Sequence, residues 1–355
     1  MNVSNVQNVK EKFLEQLLPI KNVVSVGIGR KRVEGRETEE LAIIIGVKQK
    51  LPHVLIKESD LIPQILEGVK TDVIQIGEIS VLPPLAVVTD RTSRIRPAKG
   101  GYSIGNVEIT AGTFGCVVYQ NSEPFILSNA HVLAADPTKS ISPSKQIVQP
   151  GIYDGGKYPE DHIGNLEDYI VIKPLIDIST CPVSQGTVGF LNLISRIFRR
   201  QTRFQALAYS QEVNLVDAAI ARPLNSDQII PEVEEIGVPT GIFSGDSLLD
   251  QPVVKSGRTT GITHGKVKQV DVDVSVGYGG SPGIPSKIAQ FTDQILIESE
   301  APFSQGGDSG SIVFVDDGNK QVCGLLFAGN EEGTFTYVNR IQNVLQKLNV
   351  QLINP

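Results

Sequence analysis

With 355 residues, 40% of them hydrophobic, the chain is long enough to bury a substantial core and to form more than one structural unit. Its formal net charge of −7 offers no basic field to attract nucleic acid or anionic lipid, so neither is expected as a partner. No apolar run approaches the roughly 18 residues that a membrane-spanning helix needs.

The N-terminus, MNVSNVQNVKEKFLEQLLPIK, has no basic segment followed by an apolar one, so no secretory leader is expected. Val6, Val9, Phe13, Leu14 and Leu17 recur at helical spacing and predict a helix over about 5–18, packed by one face. Two strands follow, 22–30 and 40–48, joined by the charged turn RKRVEGRETEE; then come a short helical stretch near 59–67 and a strand at 71–80. The stretch LPPLAVVTDRTSRIRPAKGG reads as a linker, which makes residues 1–95 a small α+β module with a folding or regulatory role. Beyond it, short runs rich in Val, Ile and Thr, such as GCVVY, VDAAIA, KVKQVDVDVSV, QILIE and SIVFV, alternate with Gly, Pro, Asn and Asp. That punctuation predicts a mainly antiparallel β unit over 96–355, closed by an amphipathic helix at 339–349 built on Ile341, Val344, Leu345 and Leu348.

Three scattered cysteines, Cys116, Cys181 and Cys323, form neither a disulfide framework nor a metal-binding spacing, and read as structural thiols of a reducing, cytoplasmic compartment. No Gly-rich nucleotide loop joins a strand to a helix, and the four histidines lack ligand spacing, so no cofactor and no metal is expected.

Acyl transfer at serine needs a hydroxyl on a sharp turn, a neutral imidazole to take its proton, a carboxylate to orient the imidazole, and backbone N–H groups for the oxyanion. The chain offers each in the order His, Asp, Ser. Ser309 lies in Ser304-Gln305-Gly306-Gly307-Asp308-Ser309-Gly310-Ser311, between two apolar strands; the N–H groups of Gly307 and Ser309 would form the oxyanion hole. His131 follows the apolar run FILSNA, where small residues leave room for an imidazole. Asp217 interrupts the run NLVDAAIA, and a carboxylate buried there needs hydrogen bonds or a cation.

At these three positions, and in their order, the sequence resembles the trypsin and chymotrypsin superfamily of serine peptidases. GTFGCV (112–117), VKSGRTTG (254–261) and GLLFAG (324–329) resemble further segments of that superfamily, the second in its streptogrisin-type branch. The N-terminal runs VVSVGIGRK and AIIIGVKQKLP are similar to bacterial trypsin-like peptidases and plant relatives of the NARROW LEAF type. The resemblance implies two six-stranded antiparallel β-barrels of the chymotrypsin fold, the first over about 100–223 with an insertion at 137–212 and the second over about 224–338. It implies a His131–Asp217–Ser309 triad, substrate backbone bound by Phe327, Ala328 and Gly329, and a primary pocket floored by Phe303 and Ser304. With no carboxylate at that floor, the expected substrate is a protein or peptide with a small or medium apolar residue before the scissile bond.

Where relatives pair a cysteine with one directly after the histidine, Val132 stands here, which fits an intracellular enzyme. Asp308 corresponds to the residue that in many relatives pairs with a new α-amino group after cleavage. No Ile-Val pair follows Lys99, so an internal Arg or backbone donors are expected to hold it instead. Arg199-Arg200 is a second place where processing is considered, and the apolar stretch before it, from Gly189, reads as a local packing element. A protease fold serving as a latent or inactive binding scaffold is the alternative, disfavoured because no triad member is missing.

Overall fold

A computed structural model of the chain describes residues 2–87, 89–279 and 287–353. The chain is mainly β, built around two curled antiparallel sheets, as the short β-branched runs imply.

The N-terminal helix spans Val3–Leu17, opened by Asn2, whose side-chain oxygen accepts from the Asn5 N–H at 3.0 Å. It lays Val6 and Leu17 against strands Val23–Val33 and Arg36–Val47. Lys10, 1% exposed, reaches through this face and donates to Asp273 at 2.6 Å, with Asp271 2.9 Å away. Both carboxylates belong to strand Gly261–Tyr278, so a buried ion pair ties the helix to the C-terminal half of the chain. The helical stretch expected near 59–67 is absent. Pro63 interrupts it, leaving a single turn at Glu58–Asp60, and Ile65–Leu66 instead pairs back on strand Val69–Gln75.

In the second curled sheet, Pro252–Gly257, Ile312–Val315, Gln321–Gly329, Phe335–Arg340, Lys287–Glu298 and Gly261–Tyr278 pair in succession, and the last pairs again with the first. Gly261–Tyr278 is 18 residues long, and only its first part, to Lys266, pairs with Pro252–Gly257. Its far half pairs with Val23–Val33, so the N-terminal strands continue the same sheet.

The first sheet runs through Ser103–Asn106, Gln146–Val148, His162–Tyr169, Ala219–Pro223, Glu123–Ser128 and Cys116–Gln120. Gly112–Thr113, just upstream of the last, pairs back on Ser103–Asn106 and curls the sheet upon itself. Two of these strands lie inside the stretch 137–212 expected as an insertion; Ile147, Val148, Ile163 and Leu166 bury themselves in the core and so belong to the sheet. What remains outside is the helix Pro182–Ile197 and the small pair Ile176–Ile178 with Leu207–Tyr209. That helix buries Ser195, while Val183, Phe190, Leu193 and Ile197 are exposed, so the expected local packing of this stretch is not what its apolar side chains do.

The closing helix, Ile341–Leu348, buries all four residues that its spacing picked out, and Asn349 ends it in the left-handed conformation at φ +53°. Cys116 and Cys323 are buried free thiols, pushed up to about 12 by burial, and Cys181 is exposed.

Candidate active site

Strand Glu123–Ser128 delivers its chain to Asn129 and a single helical turn, Ala130–Leu133, on which His131 sits with its side chain 11% exposed. Asp217 stands two residues before strand Ala219–Pro223 and is fully buried. Pairing of those two strands, with Ala219 opposite Ser128, brings the residues together across a large sequence separation. His131 Nδ1 lies 2.5 Å from Asp217 Oδ2, and the His131 backbone N–H donates to Oδ1 at 3.2 Å.

The remaining capacity of Asp217 is also used. Tyr278 donates its hydroxyl to Oδ2 at 2.8 Å. Asn129 donates to the Asp217 carbonyl at 2.7 Å, and the Asp217 N–H donates to Asn339 Oδ1 at 2.9 Å. Burial, then the Asp217 charge, raises Tyr278 well above the usual phenol range, so its hydroxyl keeps its proton and remains a donor. A carboxylate held by this many donors can carry its charge without water. Tyr278→Phe should cost about 1–3 kcal/mol of that support. In a protease assay this should appear as a fall in kcat of about tenfold with KM unchanged; an unchanged kcat would remove Tyr278 from the site's workings.

Ser309 is presented by a turn whose glycines are required. Gly307 and Gly310 take φ of +101° and +94°, and a side chain on Gly310 would come within 2.4 Å of the Thr113 carbonyl oxygen. The turn therefore presses against the first sheet, where Thr113 N–H donates to the Ser309 carbonyl at 2.8 Å. Among the described residues, the N–H groups of Gly307 and Ser309 have no protein acceptor. His131 and Ser309 line one cleft of about 630 Å³ between the two sheets, with Gly307 beside them. Among the described residues, the buried Nε2 of His131 has no hydrogen-bond partner.

Asp308, fully buried, accepts from Thr259 N–H at 2.8 Å, Thr260 N–H at 3.2 Å, Gln305 N–H at 3.0 Å and the Thr260 hydroxyl at 2.8 Å. Lys255 Nζ lies 3.7 Å away, also fully buried. The turn is thus held from inside the chain by backbone donors, with a lysine where an arginine was expected. Arg258 is occupied elsewhere, in a buried two-pronged pair with Asp154 of the first sheet's rim. Lys99 is paired with Glu232 and Glu234 at 2.7 and 2.6 Å.

The expected substrate-binding residues divide. Gly329 has its backbone hydrogen-bonded to Ser80, which itself lines the cleft. Ala328 is buried beside it, and Phe327 is buried with its ring 4.9 Å from that of Phe291, which stacks on Tyr278. Ser304 pairs its hydroxyl with that of Thr336 at 2.7 Å. Phe303 packs its ring within the core of the second sheet, 5.8 Å from Lys255 Nζ, rather than facing the cleft. Sequence reasoning missed Tyr278, Lys255, Asp154 and Asn339. A lysine inside the apolar run PVVKSG was a usable signal for Lys255; the tyrosine before Gly279 offered none.

No protein-family model matches the sequence, and no curated protein is similar to it at a significant level. Among solved structures the chain is similar to Thermobifida fusca protease A, at 16% identity over 72% of this chain and 98% of that one, with a TM-score of 0.43. It is also similar to a glutamic acid specific serine protease, at 16% identity over 72% and 100% and a TM-score of 0.43, and to an alpha-lytic protease homolog, N4, at 14% over 72% and 99% and a TM-score of 0.42. By their own descriptions these neighbours are proteases. The roles of individual residues here rest on the geometry above.

Proposed function

We propose that the chain is a serine endopeptidase that cleaves peptide bonds through an acyl-enzyme. The observation that carries this reading is the oriented pair of His131 and Asp217 on the cleft that Ser309 and Gly307 also line, with His131 Nε2 and the Gly307 N–H unpartnered among the described residues. Ser309 Oγ attacks the scissile carbonyl while His131 Nε2 takes its proton. The C=O electrons move to oxygen, and the N–H groups of Gly307 and Ser309 stabilise that oxyanion. Collapse breaks the C–N bond, with His131 returning the proton to the leaving amine. Water then repeats the sequence on the ester, releasing the acid and restoring Ser309. Asp217 keeps the Nδ1 proton directed at itself and stabilises the imidazolium in each half.

For the residue before the scissile bond we propose a small or medium apolar side chain. Ser304 and Thr336 are neutral, and Glu78 and Glu331, which line the neighbouring cavity, are exposed, with Glu78 already paired to Lys48. A peptide panel varied at this position tests both parts. Ala, Val and Leu peptides should exceed Arg, Lys and Glu peptides by on the order of tenfold in kcat/KM. Preference for Arg would overturn the specificity, and a folded wild type whose Ser309 a small fluorophosphonate does not label would overturn the activity.

A further inference from the structure

We propose that residues 79–85 are an autoinhibitory strap that occupies the peptide-binding groove and must withdraw before a substrate can lie in it. The inference rests on the protease reading above. Ser80 donates its N–H to the Gly329 carbonyl at 3.1 Å and accepts from the Gly329 N–H at 3.2 Å, an antiparallel bridge. On its other edge, Gly277 donates to the Ile79 carbonyl at 3.0 Å and accepts from the Val81 N–H at 3.0 Å. The segment therefore fills a slot between Gly329 and Gly277 with both edges satisfied. A peptide adding itself as a strand to Gly329 would need those same two backbone groups.

The strap then crosses the nucleophile's turn. Leu82 faces two cavities, the cleft that holds His131 and Ser309, and the adjoining one lined by Gln305 and Gly306. Pro83 lies so close that a side chain on Gly306 would meet its carbonyl oxygen at 1.7 Å. Leu85 donates its N–H to the Gly306 carbonyl at 2.9 Å and accepts from Arg258 at 2.6 Å. An apolar side chain thus lines the cleft that holds Ser309, followed by Pro83 and Pro84, which stiffen the exit and supply no N–H. Beyond the bridge at Ser80, residues 81–87 form neither strand nor helix, and Leu85 is exposed. These contacts are local, so release of the strap leaves both curled sheets paired.

Two variants test this against wild type. Ser80→Pro removes the N–H given to Gly329, and Leu82→Asp keeps every backbone donor while placing a charge in an apolar site. Each is assayed for cleavage of an apolar peptide and for labelling of Ser309 by a small fluorophosphonate, and the Gly329 amide is followed by hydrogen exchange. If the groove is open in a small fraction of wild-type molecules, freeing it should raise peptide kcat/KM on the order of tenfold or more. The small probe should label all three proteins at similar rates, and the Gly329 amide, slow to exchange in wild type, should exchange quickly in the variants. Equal labelling with no gain in cleavage by either variant overturns the strap and leaves the protease reading standing. A Gly329 amide that exchanges as fast in wild type as in the variants also overturns it. Absence of labelling in all three proteins sinks the protease reading, and autoinhibition with it.

Discussion

Asp217→Asn is expected to lower kcat by about 10⁴-fold with little change in KM or in the fold, the size of effect that loss of the orienting carboxylate has in a Ser-His-Asp triad. Oδ2 of Asp217 accepts from two donors at once, His131 Nδ1–H and the Tyr278 hydroxyl, while Oδ1 accepts from the His131 backbone. An asparagine has one accepting oxygen and one donating NH₂. Whichever way it turns, it sets a donor against a donor. With NH₂ toward the ring, His131 must move its proton from Nδ1 to Nε2, the nitrogen that has to accept from Ser309. With NH₂ toward the backbone N–H, that buried group loses its acceptor. Steady-state kinetics together with circular dichroism would separate loss of catalysis from loss of structure. A folded variant within tenfold of wild type would show that Asp217 does not set the tautomer.

Asp308→Ala should be the most destabilising change near the site, by about 3–5 kcal/mol, because it strips a buried lysine of its carboxylate. It also deprives the N–H groups of Thr259, Thr260 and Gln305 of their acceptor and releases the turn that carries Gly307 and Ser309. Loss of one oxyanion donor costs on the order of 10²–10³ in kcat, so labelling of Ser309 should fall with stability. Adding Lys255→Met removes the stranded cation and should restore much of the stability measured by urea denaturation, but not the labelling. Burial holds Lys255 below its ordinary value of 10.5. Removing Asp308, whose charge counters that shift, lowers it further; the buried cation's penalty in Asp308→Ala is complete only below this lower value and should ease as pH rises from there toward 10.5, where the unfolded chain loses the same proton. A single variant as stable as wild type would mean that Asp308 is not what holds the turn.

How much of this was legible in the sequence differs by residue. Ser309, Asp217 and His131 stood out because each violates its surroundings: a hydroxyl amid glycines between apolar strands, a carboxylate inside an apolar run, and a histidine at the end of one. The buried hydrophobic spacing of the first and last helices was equally readable, since burial of one face is what produced it. Tyr278 was not, because its role comes from the strand on which it stands, paired far along the chain from Asp217. Gln146–Val148 and His162–Tyr169 were lost to neighbouring Pro, Gly and charged residues, although their apolar members are core. The end of the strap, from Leu82, reads as a linker for a related reason. Its two prolines, with the glycines and arginines that follow, signal a connection, and nothing in their order reveals that the connection lies along Gly329.

The central claim is that Ser309 is an activated nucleophile, and intact-mass spectrometry after fluorophosphonate treatment addresses it most directly. Wild type should gain the mass of one phosphonyl group, mapped by peptide digestion to Ser309, and Ser309→Ala should gain none. An adduct on a different serine, or an unmodified folded wild type alongside an unmodified Ser80→Pro, would contradict the account.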